Sequence, residues 1–154
     1  MSLAYTAEQL ARRDHSIWTK VQGILAPTQF IAFLVSAFLV YHAWSTHQGY
    51  DAATLSIIIK ITLLWAITLT GMIWEKEIFG HYFLAKEFYW EDIGNLVAIL
   101  THNLYFVVRA LGWSDDAVMA TMLCAYATYL INCAQFIRRG IMAGQQRRLA
   151  QRSN

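Results

Sequence analysis

Residues 53–73, ATLSIIIKITLLWAITLTGMI, form an apolar run that is long enough to cross a lipid bilayer. The run contains a single charged residue, Lys60. Three further candidate spans lie at about 21–44, 93–113 and 117–137. The pattern predicts an all-α fold, an integral membrane four-helix bundle in which residues 1–154 make one membrane domain.

The composition supports a membrane location. Hydrophobic residues make up 57% of the 154-residue chain and charged residues 14%, which is too apolar for an ordinary soluble domain. Residues 1–20 carry charge throughout and lack the pattern of a cleaved secretory signal, so we expect them to be kept as an interfacial segment. Within this segment Thr6 and Gln9 have the spacing of a helix capping box.

The basic residues predict the orientation of the spans. Ten of the twelve lysine and arginine residues lie before the first span, between the second and third spans, or after the fourth span. The connections between the first and second spans and between the third and fourth spans contain no lysine or arginine. The positive-inside rule therefore places both termini, the 138–154 tail and the loop between helices 2 and 3 in the cytoplasm. Because these residues already account for topology, we expect no nucleic-acid partner.

Polar side chains mark a stripe along one face of three spans, which predicts a mildly polar bundle interior. The residues are Gln22, Gln29 and Ser36; Asn95, Ile99, His102, Phe106 and Arg109; and Thr121, Ala125, Thr128, Asn132 and Gln135. Most are explained by hydrogen bonds between helices. His102 lies near the middle of its span, where it could ligate a tetrapyrrole metal or be a hydrogen-bonded core residue. Lys60 and Arg109 are predicted to extend toward the lipid headgroups.

Residues 74–92, WEKEIFGHYFLAKEFYWED, contain five of the ten acidic residues and seven aromatic residues. Glu75 follows the second apolar run, and Glu91 and Asp92 precede the third, so these carboxyls can meet at one end of the bundle. A carboxyl at a low-dielectric boundary near like charges holds its proton more tightly, which suits a general acid. The aromatic residues are expected to form a flat surface for a planar substrate. The alternative is an interfacial belt of aromatic and charged residues without chemistry.

Several motifs of the chain resemble the bacteriochlorophyllide 3-vinyl hydratase family. They are WTKVQGILAPTQF, WEKEIFG, YFLA, FYWED, LTHNLY and YLINCAQF, and the similarity extends from about Thr6 to Arg139. The resemblance implies a small hydro-lyase of bacteriochlorophyll biosynthesis. Such an enzyme hydrates the ring-A vinyl group of a chlorophyllide to a 1-hydroxyethyl group, in the bacterial inner or intracytoplasmic photosynthetic membrane.

The resemblance also implies site residues. Acid–base catalysis falls to Glu75, Glu91 and Asp92, one carboxyl protonating the vinyl group and another deprotonating water. Substrate binding falls to a larger set, namely Trp74, Lys76, Phe79, Tyr82, Trp90, His102, Tyr105, Asn132 and Gln135. No cofactor and no metal of its own are expected, because the magnesium belongs to the chlorophyllide, although His102 could ligate it.

The expected partners are the chlorophyllide, water and membrane lipid. A homo-oligomer, or a complex with other pigment-synthesis or photosynthetic proteins, is left open. The alternative function is that of a non-catalytic chlorophyll-binding or assembly subunit of a photosynthetic membrane complex, which would use the same histidine and aromatic surface.

Overall fold

The structure, a computed structural model, describes the backbone of residues 5–152 and the side chains of residues 5–149. The regular elements of this part are all helices: α1 Ala7–His15, α2 Ile17–Thr46, α3 Tyr50–Phe79, α4 Tyr89–Ala110 and α5 Asp115–Arg152. Helices α2 to α5 are long and apolar enough to cross a membrane. The predicted all-α membrane fold with four apolar helices is therefore confirmed.

The four long helices close into a ring, with α2 packed on α3, α3 on α4, α4 on α5 and α5 on α2. The chain turns tightly between α2 and α3 and between α4 and α5, and a longer loop of residues 80–88 joins α3 to α4. We call the end of the bundle that carries residues 74–92 the motif end. The apolar core of the other half is built around side chains such as Phe33, Val40, Ile57 and Met119.

Helix α1 begins with the predicted capping box. Gln9 N donates to Thr6 Oγ1 over 3.1 Å, and Thr6 N donates to Gln9 Oε1 over 2.8 Å, which confirms this expectation. The helix packs against the motif end, where the Arg12 side chain donates to the carbonyl of Ile78 over 3.3 Å.

Helix α5 continues well past the apolar run, to Arg152. Its distal part contacts the beginning of the chain. The Gln146 side chain donates to Tyr5 O over 2.6 Å and accepts from Tyr5 N over 3.3 Å, and Arg147 forms an ion pair with Asp14. The two ends of the described chain are thus joined beside the motif end.

Two expectations about side-chain direction are wrong. Lys60 does not reach the headgroups: it is fully buried, and its Nζ lies 3.4 Å from the ring centre of Tyr129. Its position on α3 faces the bundle interior, so neighbouring helices enclose the side chain. Phe106 is 47% exposed, and Tyr105, one position earlier on α4, takes the buried place. Arg109 is exposed and donates to Asp115 over 2.6 Å.

Candidate functional site

A cavity of about 420 Å³ lies between the four long helices at the motif end. Its wall is largely apolar, with polar side chains that include Glu75, Asp92, Asn95 and Asn132. Several lining residues are also exposed on the outer surface: Ala26, Pro27 and Phe30 on α2, and Phe136 and Ile137 on α5. The cavity therefore opens sideways between α2 and α5, toward the lipid-facing surface of the bundle.

Glu75 and Asp92 form a buried pair in the wall of this cavity. The two carboxyl groups hydrogen-bond to each other, and their residues are only 2% and 5% exposed. Each also accepts a backbone hydrogen bond from the loop: Ala85 N donates to Glu75 Oε1 over 2.8 Å, and Leu84 N donates to Asp92 Oδ2 over 2.6 Å. Two buried carboxylates at this separation repel each other, so the pair is suited to share one proton between its members.

The loop that supplies these N–H groups is shaped by two residues with positive φ. Gly80 ends α3 with φ +86°, a conformation that favours glycine, and its N–H caps the carbonyl of Lys76 over 3.0 Å. Leu84 has φ +58°, which is uncommon for a residue other than glycine. Its N–H hydrogen bond to Asp92 helps hold this conformation, so the unfavourable backbone lies directly beside the carboxyl pair.

The aromatic residues of the motif do not form one flat surface. Trp74, Phe83 and Phe88 line the cavity, and Trp74 Nε1 donates to Thr19 Oγ1 over 2.8 Å. Phe79 stacks on Tyr5, with ring centres 5.9 Å apart, and supports Trp74 from behind.

The other aromatic residues of the motif point outward. Tyr82 is 57% exposed and Trp90 is 70% exposed. Lys76 is exposed on the same surface, with its Nζ 5.2 Å from the Tyr82 ring centre and donating to Gly80 O over 2.8 Å. These three side chains lie outside the cavity lining.

Glu91 is separated from the Glu75–Asp92 pair. Its carboxylate accepts two hydrogen bonds from the Arg139 guanidinium, over 3.1 Å from Nε and 3.2 Å from Nη2. Both side chains are mostly buried and face a second, shallower surface depression that Trp90 and Gln135 also line. The structure therefore brings together two of the three predicted catalytic carboxyls and directs the third elsewhere.

Asn132 and Gln135 hold the start of α4 against α5. Asn132 Nδ2 donates to Glu91 O over 3.1 Å, and Gln135 Nε2 donates to Trp90 O over 2.9 Å. Asn132 also lines the main cavity, whereas Gln135 does not. Both side chains thus fix the backbone next to Asp92.

Glu87, in the loop, is held as a carboxylate. The Gln9 side chain donates to Glu87 Oε1 over 2.9 Å, and this hydrogen bond is the main cause that lowers the pKa of Glu87. A carboxyl with a lowered pKa is a poor proton donor at neutral pH.

His102 and Tyr105 lie deeper in the bundle, outside the cavity lining. His102 is fully buried, and its Nδ1 contacts the Ala98 carbonyl over 2.7 Å. Because a carbonyl can only accept, Nδ1 carries the proton, and Nε2 has no hydrogen-bond partner within the described residues. Tyr105 belongs to the apolar core of the opposite half.

The sequence pattern missed two features of the site. One is the pair of backbone N–H groups at Leu84 and Ala85, for which no side-chain signal exists. The other is Gly94: a Cβ there would lie 1.9 Å from Gln135 Oε1 and 2.8 Å from Asn132 Nδ2. A glycine inside an apolar span typically marks close helix packing, and this signal could have identified it.

Comparison with known proteins identifies the family. The family model for 2-vinyl bacteriochlorophyllide hydratase matches residues 5–142. No solved structure matches the chain. A 2-vinyl bacteriochlorophyllide hydratase from Rhodobacter capsulatus is 50% identical over 133 residues, which cover 86% of this chain and 78% of the relative. One from Cereibacter sphaeroides is 49% identical over 133 residues, covering 86% and 83%. The chain therefore belongs to the 2-vinyl bacteriochlorophyllide hydratase family.

Proposed function

We propose that this protein is a hydro-lyase that adds water to the vinyl group of a bacteriochlorophyllide, as a step of bacteriochlorophyll biosynthesis. The names of its two relatives support the substrate and the reaction. The observation that carries the proposal is the hydrogen-bonded Glu75–Asp92 pair in the wall of an otherwise apolar cavity. Such a pair offers a proton donor and a proton acceptor side by side.

The pair can perform both proton transfers. The protonated carboxyl gives its proton to the terminal vinyl carbon, and the π electrons form the new C–H bond. Positive charge then develops on the inner carbon, where the conjugated macrocycle delocalises it. A water oxygen bonds to this carbon and loses a proton to the carboxylate, so the pair again holds one proton. Each transfer of this kind contributes about 10²–10⁴ in rate.

The cavity supports a pose in which the vinyl-bearing edge of the pigment lies inside it, against the carboxyl pair. A whole macrocycle is larger than the enclosed space, so part of the ring extends through the opening between α2 and α5. Trp74, Phe83 and Phe88 offer apolar contacts at the inner edge, and Asn132 offers a polar one. Lys76, Tyr82 and Trp90 lie on the surface of the motif end, where they contact lipid headgroups or a docked pigment.

The remaining predicted site residues receive supporting roles in this proposal. Glu91 positions Asp92, because its ion pair with Arg139 fixes the first turn of α4. Adding water to a vinyl group transfers no electrons to or from a cofactor, so the reaction needs no redox group. Magnesium is present only as part of the pigment. The unprotonated Nε2 of His102 is chemically suited to bind that magnesium. The two can meet only if the pigment enters deeper than the residues that now line the cavity.

We further propose that the motif end faces the cytoplasm of a bacterial inner or intracytoplasmic membrane. The charge distribution supports this orientation. In a variant with Cys124 and Cys133 replaced by Ala, we expect Gln48→Cys to react with an impermeant maleimide from the periplasmic side. His81→Cys, also at an exposed position, should react only after the inner membrane is disrupted. The reverse labelling pattern would refute the orientation.

The function itself is tested by incubating the purified protein with vinyl chlorophyllide in water enriched in heavy oxygen. We expect the pigment to gain the mass of one water that carries the heavy isotope, together with the absorbance change that accompanies loss of a conjugated vinyl group. Pigment that binds but gains no water would contradict the proposal and favour a pigment-binding subunit.

A further inference from the structure

Polar side chains from the four long helices lie at or just behind the deep end of the cavity. Gln29 of α2 and Tyr129 of α5 are part of its lining. Lys60 of α3 lies behind Tyr129, with Nζ 3.4 Å from the ring centre, and the His102 ring of α4 lies 6.2 Å from the same ring. This deep end is opposite the Glu75–Asp92 pair along the cavity.

Within the described residues, three of these side chains have a buried polar atom without a hydrogen-bond partner. The atoms are Gln29 Oε1, Lys60 Nζ and His102 Nε2. Leaving such an atom unpaired away from water costs free energy, and the cost is greatest for a cationic group. Their occurrence near one cavity indicates a site that a ligand completes.

Among the residues whose side chains the structure describes, no carboxylate acts on Lys60. The titratable side chains that act on it are Cys133 and His102, neither of which is a carboxylate. The face of the Tyr129 ring gives the ammonium partial compensation through a cation–π contact. A buried ammonium that has only a ring face beside it is suited to pair with an anion brought by the ligand.

The depth of Lys60 Nζ follows from the register of α4 and α5. Thr101 Oγ1 and Thr128 Oγ1 lie 2.8 Å apart, and the two helices run in opposite directions. Tyr129 of α5 is therefore level with about Leu100 of α4. That level is eight residues from Asp92, which corresponds to about 12 Å along the helix axis. Along the bundle axis, Asp92 and the Tyr129 ring that Lys60 Nζ contacts are therefore offset by roughly the width of a tetrapyrrole macrocycle.

We infer that Lys60 binds a carboxylate of the substrate, namely the free propionate carboxylate that a chlorophyllide carries and an esterified chlorophyll lacks. The inference rests on the proposed function. The vinyl group then lies at Glu75 and Asp92, and the carboxylate lies at the deep end. Tyr129 lines this end and Lys60 lies behind it, so the Tyr129 ring has to turn aside for the carboxylate to reach Lys60 Nζ. Lys60 thereby fixes which edge of the pigment faces the carboxyl pair and selects the free acid over its ester.

The test is a binding comparison that does not depend on turnover. Absorbance titrations measure the affinity of the purified protein for vinyl chlorophyllide and for its propionate methyl ester. They are repeated with Lys60→Met and with Lys20→Met, a matched change of an exposed lysine outside the cavity. Methionine keeps the length of the buried side chain and removes the unpaired charge, so Lys60→Met is expected to fold.

We expect the unmodified protein and Lys20→Met to bind the free acid about 30-fold or more tightly than the ester, as for a buried charge pair. Lys60→Met should lose this preference by binding the free acid more weakly, with its ester affinity unchanged. Equal binding of acid and ester by the unmodified protein, or a full preference in Lys60→Met, would overturn the inference. Incorporation of heavy oxygen is measured on the same samples. If the unmodified protein incorporates heavy oxygen but binds acid and ester equally, the Lys60 inference fails while the hydratase function stands.

Discussion

Replacement of Asp92 by Asn is expected to lower the rate of vinyl hydration by about two to four orders of magnitude. Asparagine keeps the size of the side chain, can still accept the hydrogen bond from Leu84 N, and can donate its amide to Glu75. It cannot, however, release or take up a proton at neutral pH. The loss should therefore appear in turnover, measured as conversion of vinyl chlorophyllide, while pigment binding by absorbance stays close to that of the unmodified protein.

Glu75→Gln should have the same effect, because the two carboxyls act on one shared proton. For the same reason the double variant should be little slower than either single variant, since residues that act as a unit are not additive. Glu77→Gln provides the matched control: it lies two residues away on α3, is exposed, and accepts a 2.7 Å hydrogen bond from Ser16. Near-normal hydration by Asp92→Asn or Glu75→Gln would refute the assignment of the pair.

Replacement of Gly94 by Ala should destabilise the start of α4. The added methyl group would lie 1.9 Å from Gln135 Oε1, so Gln135 and Asn132 would have to move. Their hydrogen bonds to the carbonyls of Trp90 and Glu91 would then be lost. Overpacking of this kind costs about 1–3 kcal/mol, which corresponds to a decrease in Tm of roughly 2–4 °C per kcal/mol in a chain of this size.

The control for this change is Gly140→Ala on α5, where a Cβ would meet no atom within 4 Å. Alanine has the better helix propensity by about 1 kcal/mol, so Tm should stay unchanged or increase. Both variants are compared by thermal unfolding in the same detergent. A Gly94→Ala protein as stable as Gly140→Ala would show that the side chains of α5 adapt to the methyl group without loss.

The number and placement of the long helices could be predicted from the sequence because a bilayer demands about twenty apolar residues for each crossing. The meeting of acidic residues at one end of the bundle followed from the same pattern. Glu75 was identified on that basis, and the structure places it against Asp92.

The choice between Glu91 and Asp92 could not be made from spacing. Neighbouring positions on a helix differ by about 100° in direction, so one faces the cavity and the other faces Arg139. The helix begins at Tyr89, only two residues before Glu91, and the loop geometry that sets its rotation depends on Gly80 and on the unusual backbone of Leu84. A long-range ion pair to Arg139 has no local sequence signal.

Lys60 illustrates a second limit of sequence reasoning. A lysine two turns from the end of an apolar helix ordinarily extends to the headgroups. Whether it does so depends on which face of α3 points into the bundle interior, and this is decided by packing against α2 and α4 that one sequence does not specify. The same reasoning applies to Phe106, which was predicted to face the bundle interior but is exposed, while its neighbour Tyr105 is buried.

The contact between Tyr5 and Gln146 has a consequence for the order of synthesis. The ribosome makes the residues around Tyr5 well before Gln146, yet each completes hydrogen bonds of the other. Helices α2 to α4 can enter the membrane while translation continues, but α1 lacks its α5 contacts until the end of α5 has left the exit tunnel. Tyr5 stacks on Phe79, which in turn contacts Trp74 at the cavity wall, so this side of the pocket is completed only after the distal part of α5 has left the ribosome. A nascent chain therefore carries an incomplete binding pocket until the residues around Gln146 have emerged.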